Sequence, residues 1–168
     1  MTQNMLQEIF ELSAIVVSKA SNKNLSIATA ESCTGGLIGA AITASSGSSK
    51  VFRGGIIAYH NDIKCGLLDV SPATLETHGA VSEDVATQMA KGALNHLGTD
   101  IAISVTGIAG PGGGSIEKPV GTVWIGIATH EDVRASRYLY SDLSRNKVRD
   151  ATCSQALKTI ISALDNAF

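Results

Sequence analysis

Aromatic residues are scarce, at 4% of the chain, and neither sign of charge dominates: 13 Lys and Arg stand against 15 Asp and Glu. The first shortage removes the stacking platforms that single-stranded nucleic acid requires. The second removes the basic stripe that duplex or an anionic membrane would select. No apolar run reaches the roughly 20 residues of a membrane-spanning helix. The N-terminus, MTQNMLQEIFELSAIVV, lacks a basic segment and carries Glu8 and Glu11, so it does not read as a signal peptide. Cys33, Cys65 and Cys153 are odd in number, far apart and outside any CxxC, which indicates neither a disulfide framework nor a zinc site. His60, His78, His96 and His130 show no i, i+4 pairing, so no histidine metal site is expected. The default expectation is a soluble cytoplasmic protein.

What the chain does contain is enough apolar material, 44% over 168 residues, to build one core, and a single domain over 1–168 is expected. Leu6, Ile9, Phe10, Leu12, Ala14, Ile15 and Val16 recur at helical spacing, predicting a helix over about 3–21. Leu25 to Ala30 reads as a buried strand, and Thr34 to Ala44 as a helix that follows directly. Gly54 to Tyr59 is a second strand, and Ile63 to Leu68 a short helix started by Asn61 and Asp62. Ser71-Pro72 opens a further helix that stops at Gly79, and Ser82 caps another that runs to Leu97.

Ile101 to Val105 is a third strand. Val120 to Thr129 and Arg134 to Tyr140 are a fourth and fifth, paired as a hairpin, and a helix closes the chain over about 142–166. Strands alternating with helices predict a three-layer α/β/α sandwich. The closing hairpin makes its five-stranded sheet mixed, though mostly parallel.

Four stretches carry chemistry. Glu31-Ser32-Cys33-Thr34-Gly35-Gly36 sits between a strand and a helix, where α/β sheets bind ligands and where free amides favour an anion. A serine there could attack a carbonyl whose oxygen those amides hold. Equally, Ser32 or Thr34 could simply cap the helix, and the stretch alone does not decide.

Tyr59 to Lys64 (YHNDIK) offers a partner for a serine, since a lysine acts as a base once burial lowers its pKa. By spacing alone, a surface Lys and a strand-end Tyr are the simpler reading. The loop Thr106 to Pro119 holds five glycines, and its backbone can approach a ligand closely. Arg145 and Arg149, four apart, share one helix face that suits a phosphate or carboxylate, or else lies solvated.

Together these stretches resemble the CinA C-terminal domain family, whose stand-alone members include nicotinamide-nucleotide (NMN) amidohydrolases. The motifs are AESCTGG (Ala30–Gly36), FRGGIIAYHNDIK (Phe52–Lys64), HGAVSE (His78–Glu83), SVTGIAGPGGG (Ser104–Gly114) and KPVGTVWIGIA (Lys118–Ala128). They are collinear and span nearly the whole chain. The resemblance implies an α/β/α fold, often dimeric, and hydrolysis of the NMN carboxamide to nicotinate mononucleotide and ammonia without metal or organic cofactor. It implies Ser32 as nucleophile with Tyr59 and Lys64 as partners.

The substrate would be held by Cys33, Thr34, Gly35 and Gly36, by Thr106, Gly107, Ala109 and Gly110 of the glycine loop, and by Arg145 and Arg149. Cys33 is the rival nucleophile. The final helix departs from the family pattern: Leu143-Ser144 precede Arg145 where relatives carry Gly-Asp. A non-catalytic nucleotide-binding or regulatory module, or an amidase for another pyridine amide, is the alternative. Glu31 has no role on this reading.

Overall fold

The computed structural model describes residues 3–166. Helix α1 (Gln3–Lys23) leads into strand β1 (Ile27–Glu31), helix α2 (Leu37–Thr43), a short 3-10 turn, and strand β2 (Phe52–Ile57). Helices α3 (Asn61–Leu68), α4 (Pro72–His78) and α5 (Glu83–Leu97) follow. Strands β3 (Ile101–Gly107), β4 (Thr122–Thr129) and β5 (Val133–Leu139) then precede the long helix α6 (Arg145–Asn166). The strands lie in the order β2-β1-β3-β4-β5. The pairs β2·β1 and β1·β3 are parallel, and β3·β4 and β4·β5 antiparallel, so β4 alone runs against the other four. This is the mixed three-layer sandwich that the alternation of elements predicts.

The two faces of the sheet have different chemistry because side chains alternate along each strand. One face carries Ile27, Ile101, Ile103, Val105, Val123, Ile125 and Ile127 and meets α1, α2 and α6 through Val16, Ile38, Leu157 and Ile160. The other carries Ala28, Ala30, Ala102 and Ala128 and meets α5 through Val85, Met89 and Ala93. Small residues on this second face let α5 come close. A Cβ on Gly126 would stand 2.5 Å from the Ala86 carbonyl oxygen, and one on Gly92 would stand 2.1 Å from that of Leu68. Backbone therefore lies directly on backbone where α5 crosses the end of α3.

Several element boundaries differ from expectation, those of α2, β2 and α6 among them. Helix α2 begins at Leu37 and not Thr34, because Gly35 (φ 62°) and Gly36 (φ 94°) hold left-handed backbone that cannot continue a helix. Strand β2 runs from Phe52 to Ile57, so Tyr59 lies past its end and not at its last position. A register shift opposite Ile27/Ala28 leaves Arg53 unpaired in β2 and hides the strand's start from simple alternation. Helix α6 begins at Arg145 and not near 142. Among the described residues no helix is long and apolar enough to cross a membrane.

Candidate functional site

The carboxyl ends of β1, β2 and β3 lie side by side, and the connections that leave them meet over one cavity of about 240 Å³. Ser32 and Cys33 come from the β1 exit, Tyr59, Asn61 and Lys64 from the β2 exit and α3, and Thr106, Gly107 and Ala109 from the β3 exit. Ala80, Val81 and Arg145 complete the lining. A cavity of about 370 Å³ at the opposite end of the sheet, floored by Leu25, Ile101 and Ile127, holds no Ser, Cys or Lys.

Ser32 is buried but reaches the cavity, and its amide donates to the Val105 carbonyl, fixing the loop to β3 at 3.0 Å. Lys64 is only 2% exposed, and burial holds its amine below the usual lysine range. Its Nζ donates to the Tyr59 carbonyl at 3.3 Å and to Asn61 Oδ1 at 3.4 Å; among the described residues no carboxylate pairs with it and no hydrogen bond joins it to Ser32. A desolvated amine without a counter-ion is an environment that favours the neutral, basic form of lysine.

Cys33 meets the opposite condition. Burial pushes its thiol up to about 12, and the nearby Glu31 charge adds to the rise, so the thiolate that a cysteine nucleophile needs is suppressed.

Tyr59 is 60% exposed, and its hydroxyl accepts from Arg145 Nη2 at 2.9 Å. Arg145 Nη1 donates to the Gly110 carbonyl at 2.7 Å. One guanidinium therefore bridges the glycine loop to the β2 exit at the cavity mouth, with part of its five-donor fork still free. Arg149 points elsewhere: its Nη2 donates to the Thr34 carbonyl at 2.7 Å, and it does not line the cavity. Thr34 is fully buried, Gly35 is exposed, and neither they nor Gly36 and Gly110 face the cavity. Thr106 is held by its hydroxyl donating to the Ala80 carbonyl at 2.7 Å.

Two features escaped the sequence. Asn61 reads as a helix starter, yet His60 is the N-cap of α3, its Nδ1 accepting from the Asp62 amide, and Asn61 faces Lys64. Its place inside the Tyr-x4-Lys segment was the available signal. Glu31 is 1% exposed and turns toward α2, its carboxylate accepting from Thr34 Oγ1, Ile38 N and Gly39 N. The second and third amides of that helix, those of Ile38 and Gly39, are therefore taken. The Cys33 amide donates to no other residue among those described. Among the described residues no cluster of three His, Cys, Asp or Glu side chains could hold a metal ion.

The model of the CinA C-terminal domain matches residues 9–164. A CinA-like protein of Chlorobaculum tepidum is 50% identical over 144 residues, which cover 82% of this chain and 34% of that protein. The chain thus spans about a third of the length of the curated relatives it matches. Among solved structures, the competence/damage inducible protein CihA of Agrobacterium tumefaciens superposes with a TM-score of 0.91 at 44% identity, covering 95% of this chain and 96% of that one. The competence damage-inducible protein A of Klebsiella pneumoniae superposes equally well at 32% identity, covering 95% and 99%. With the matched motifs distributed from β1 to β4, the chain belongs to the CinA C-terminal domain family.

Proposed function

We propose that this chain is an amidohydrolase that cleaves the carboxamide of NMN to nicotinate mononucleotide and ammonia. The observation that carries the reading is Lys64, a buried amine with no carboxylate partner, opening on the same cavity as Ser32. Neutral Lys64 takes the Ser32 proton as Oγ attacks the carboxamide carbon. The Cys33 amide, which donates to no other residue among those described, is the candidate donor for the developing oxyanion. The C–N bond then breaks, with Lys64 returning the proton so that ammonia leaves. Water hydrolyses the resulting acyl-serine to the carboxylate and restores Ser32. Tyr59, its hydroxyl oxygen already accepting from Arg145, retains its own proton to donate to the substrate or to relay.

At about 240 Å³ the cavity is at the small end for ligand sites, room for a pyridine ring and part of its ribose. A phosphate would then reach the mouth, where Arg145 and the glycine loop meet. Binding energy from that remote phosphate would orient the carboxamide. We also propose that the protein is cytoplasmic and, because Ile57, Tyr59, Ile63 and Leu67 are exposed along the free edge of the sheet and the adjoining α3, that it pairs through this edge as a homodimer.

The test is ammonia release from NMN, nicotinamide riboside and nicotinamide, run beside Ser32→Ala. Release from NMN alone, lost in the variant, supports the reading. Binding of NMN without ammonia identifies a non-catalytic nucleotide module, and equal turnover of nicotinamide identifies a different amidase.

A further inference from the structure

We propose that Glu31 is a positioning residue for the nucleophile: its buried carboxylate ties the Ser32–Gly36 loop to the start of α2 and so sets where Ser32 faces the cavity. This rests on the reading of Ser32 as the nucleophile. Glu31 is the last residue of β1 and immediately precedes Ser32. Its carboxylate accepts three hydrogen bonds, from Thr34 Oγ1 at 2.7 Å, Ile38 N at 3.0 Å and Gly39 N at 2.8 Å. No cation is among these partners. The loop folds back over seven and eight residues to make them, and the left-handed Gly35 and Gly36 perform the reversal. A Cβ on Gly39 would stand 3.3 Å from the Phe52 ring, a tight approach, and 3.5 Å from Glu31 Oε1, an ordinary contact.

Burying a carboxylate without a counter-ion costs stability, and an apolar side chain of similar volume would fill the space more cheaply. What only the carboxylate provides is geometry, since it joins one side-chain hydroxyl of the loop and two amides of the helix in a single group. Between Ser32 and Gly36 the other restraints are the Ser32 and Gly35 amides, the Arg149 bond to the Thr34 carbonyl and the Ala40 amide donating to the Gly36 carbonyl. Without Glu31 that last bond, at the far end of the segment, is what remains of its hydrogen bonding to α2. Placement matters steeply in such sites, where a shift of about 1 Å costs on the order of 100-fold in rate. Burial keeps the neighbouring Cys33 thiol protonated, and the Glu31 charge beside it adds to that effect.

The test uses Glu31→Gln, whose amide must turn a donor toward one of the α2 amides or toward Thr34, together with Thr34→Val and Thr34→Ser. Ser32 reactivity is read by mass spectrometry after labelling with a fluorophosphonate, which needs no knowledge of the substrate. Cooperative melting reports the fold, and kcat and KM are measured on NMN. Glu31→Gln is expected to slow Ser32 labelling and kcat together by about 10- to 100-fold while KM moves less than about threefold. Thr34→Ser, which keeps the hydroxyl, labels about tenfold faster than Thr34→Val.

Labelling by Glu31→Gln within twofold of wild type overturns the proposal, and so does equal labelling of the two Thr34 variants if Glu31→Gln fails to fold. A wild-type protein that labels at Ser32 but releases no ammonia from NMN removes the amidase reading and leaves Glu31 judged on labelling. A wild-type Ser32 that does not label removes the nucleophile and this proposal with it.

Discussion

Asn61→Asp isolates the proposed base without moving it. The replacement is isosteric and puts a carboxylate where Oδ1 now stands 3.4 Å from Lys64 Nζ. Coulomb's law at that distance gives about 1.2 kcal/mol in water and about 5 kcal/mol at an effective dielectric constant of 20. Asn61 is exposed, so the attraction sits toward the lower figure. Since about 1.4 kcal/mol corresponds to one pKa unit, the Lys64 amine rises by about 1–2 units. A base must be neutral, and raising its pKa shrinks the neutral fraction.

The acidic limb of the kcat/KM profile therefore moves up by the same 1–2 units. At pH 7 the rate falls about 10- to 100-fold, and alkali restores it. Folding should not suffer, because a carboxylate in the first turn of α3 complements the helix dipole. The measurement is NMN hydrolysis from pH 5.5 to 10 with a melting curve as control. An acidic limb that stays in place would refute the assignment of Lys64, and a uniformly lowered plateau would make Asn61 a substrate contact instead.

Ser32→Ala should abolish ammonia release, whereas Cys33→Ala should lower it less than tenfold; the reverse pattern exchanges the two nucleophiles. Lys64→Met should lose activity yet melt at a higher temperature at pH 7. The folded pKa of Lys64 lies below its unfolded value of about 10.4, so the unfolded chain binds the proton more tightly. The penalty is fully present below the folded pKa and disappears as pH rises toward 10.4. The gain in melting temperature should narrow over that window, and a lower Tm at pH 7 would contradict the burial argument. Arg145→Ala should raise KM for NMN by about 10-fold or more while leaving KM for nicotinamide riboside nearly unchanged, if its guanidinium meets the phosphate. Equal effects on both substrates, measured by steady-state kinetics, would limit Arg145 to bracing Tyr59 and Gly110.

Much of this architecture could be read from pattern, because alternating strands and helices with β-branched runs at Ile101–Val105 obey local rules. The convergence of Ser32 and Lys64 on one cavity also follows once β1 and β2 are neighbours, since both leave the sheet at the same end. What escaped was decided by distant backbone. Arg145 and Arg149 sit on one helix face, yet one reaches the Gly110 carbonyl and the other the Thr34 carbonyl, partners 35 and 115 residues away. The role of Glu31 at the start of α2 was hidden as well, because its helix partners are seven and eight residues ahead, beyond the three-residue reach of a capping box. Cys33 reads as the stronger nucleophile by chemistry alone, and only its burial reverses the order.

The contact of Gly92 with the Leu68 carbonyl has a bearing on how this family can diversify. Helix α3 carries Lys64, and its far end rests on α5 with no side chain between the two backbones. The position of the base is therefore gauged by peptide dimensions, which mutation cannot change, and not by core side chains, which it can. Residues elsewhere in the core can drift in size while the lysine keeps its height above the serine. The tolerance ends at one position: any side chain at residue 92 would act as a wedge, lifting the base away from the group it serves.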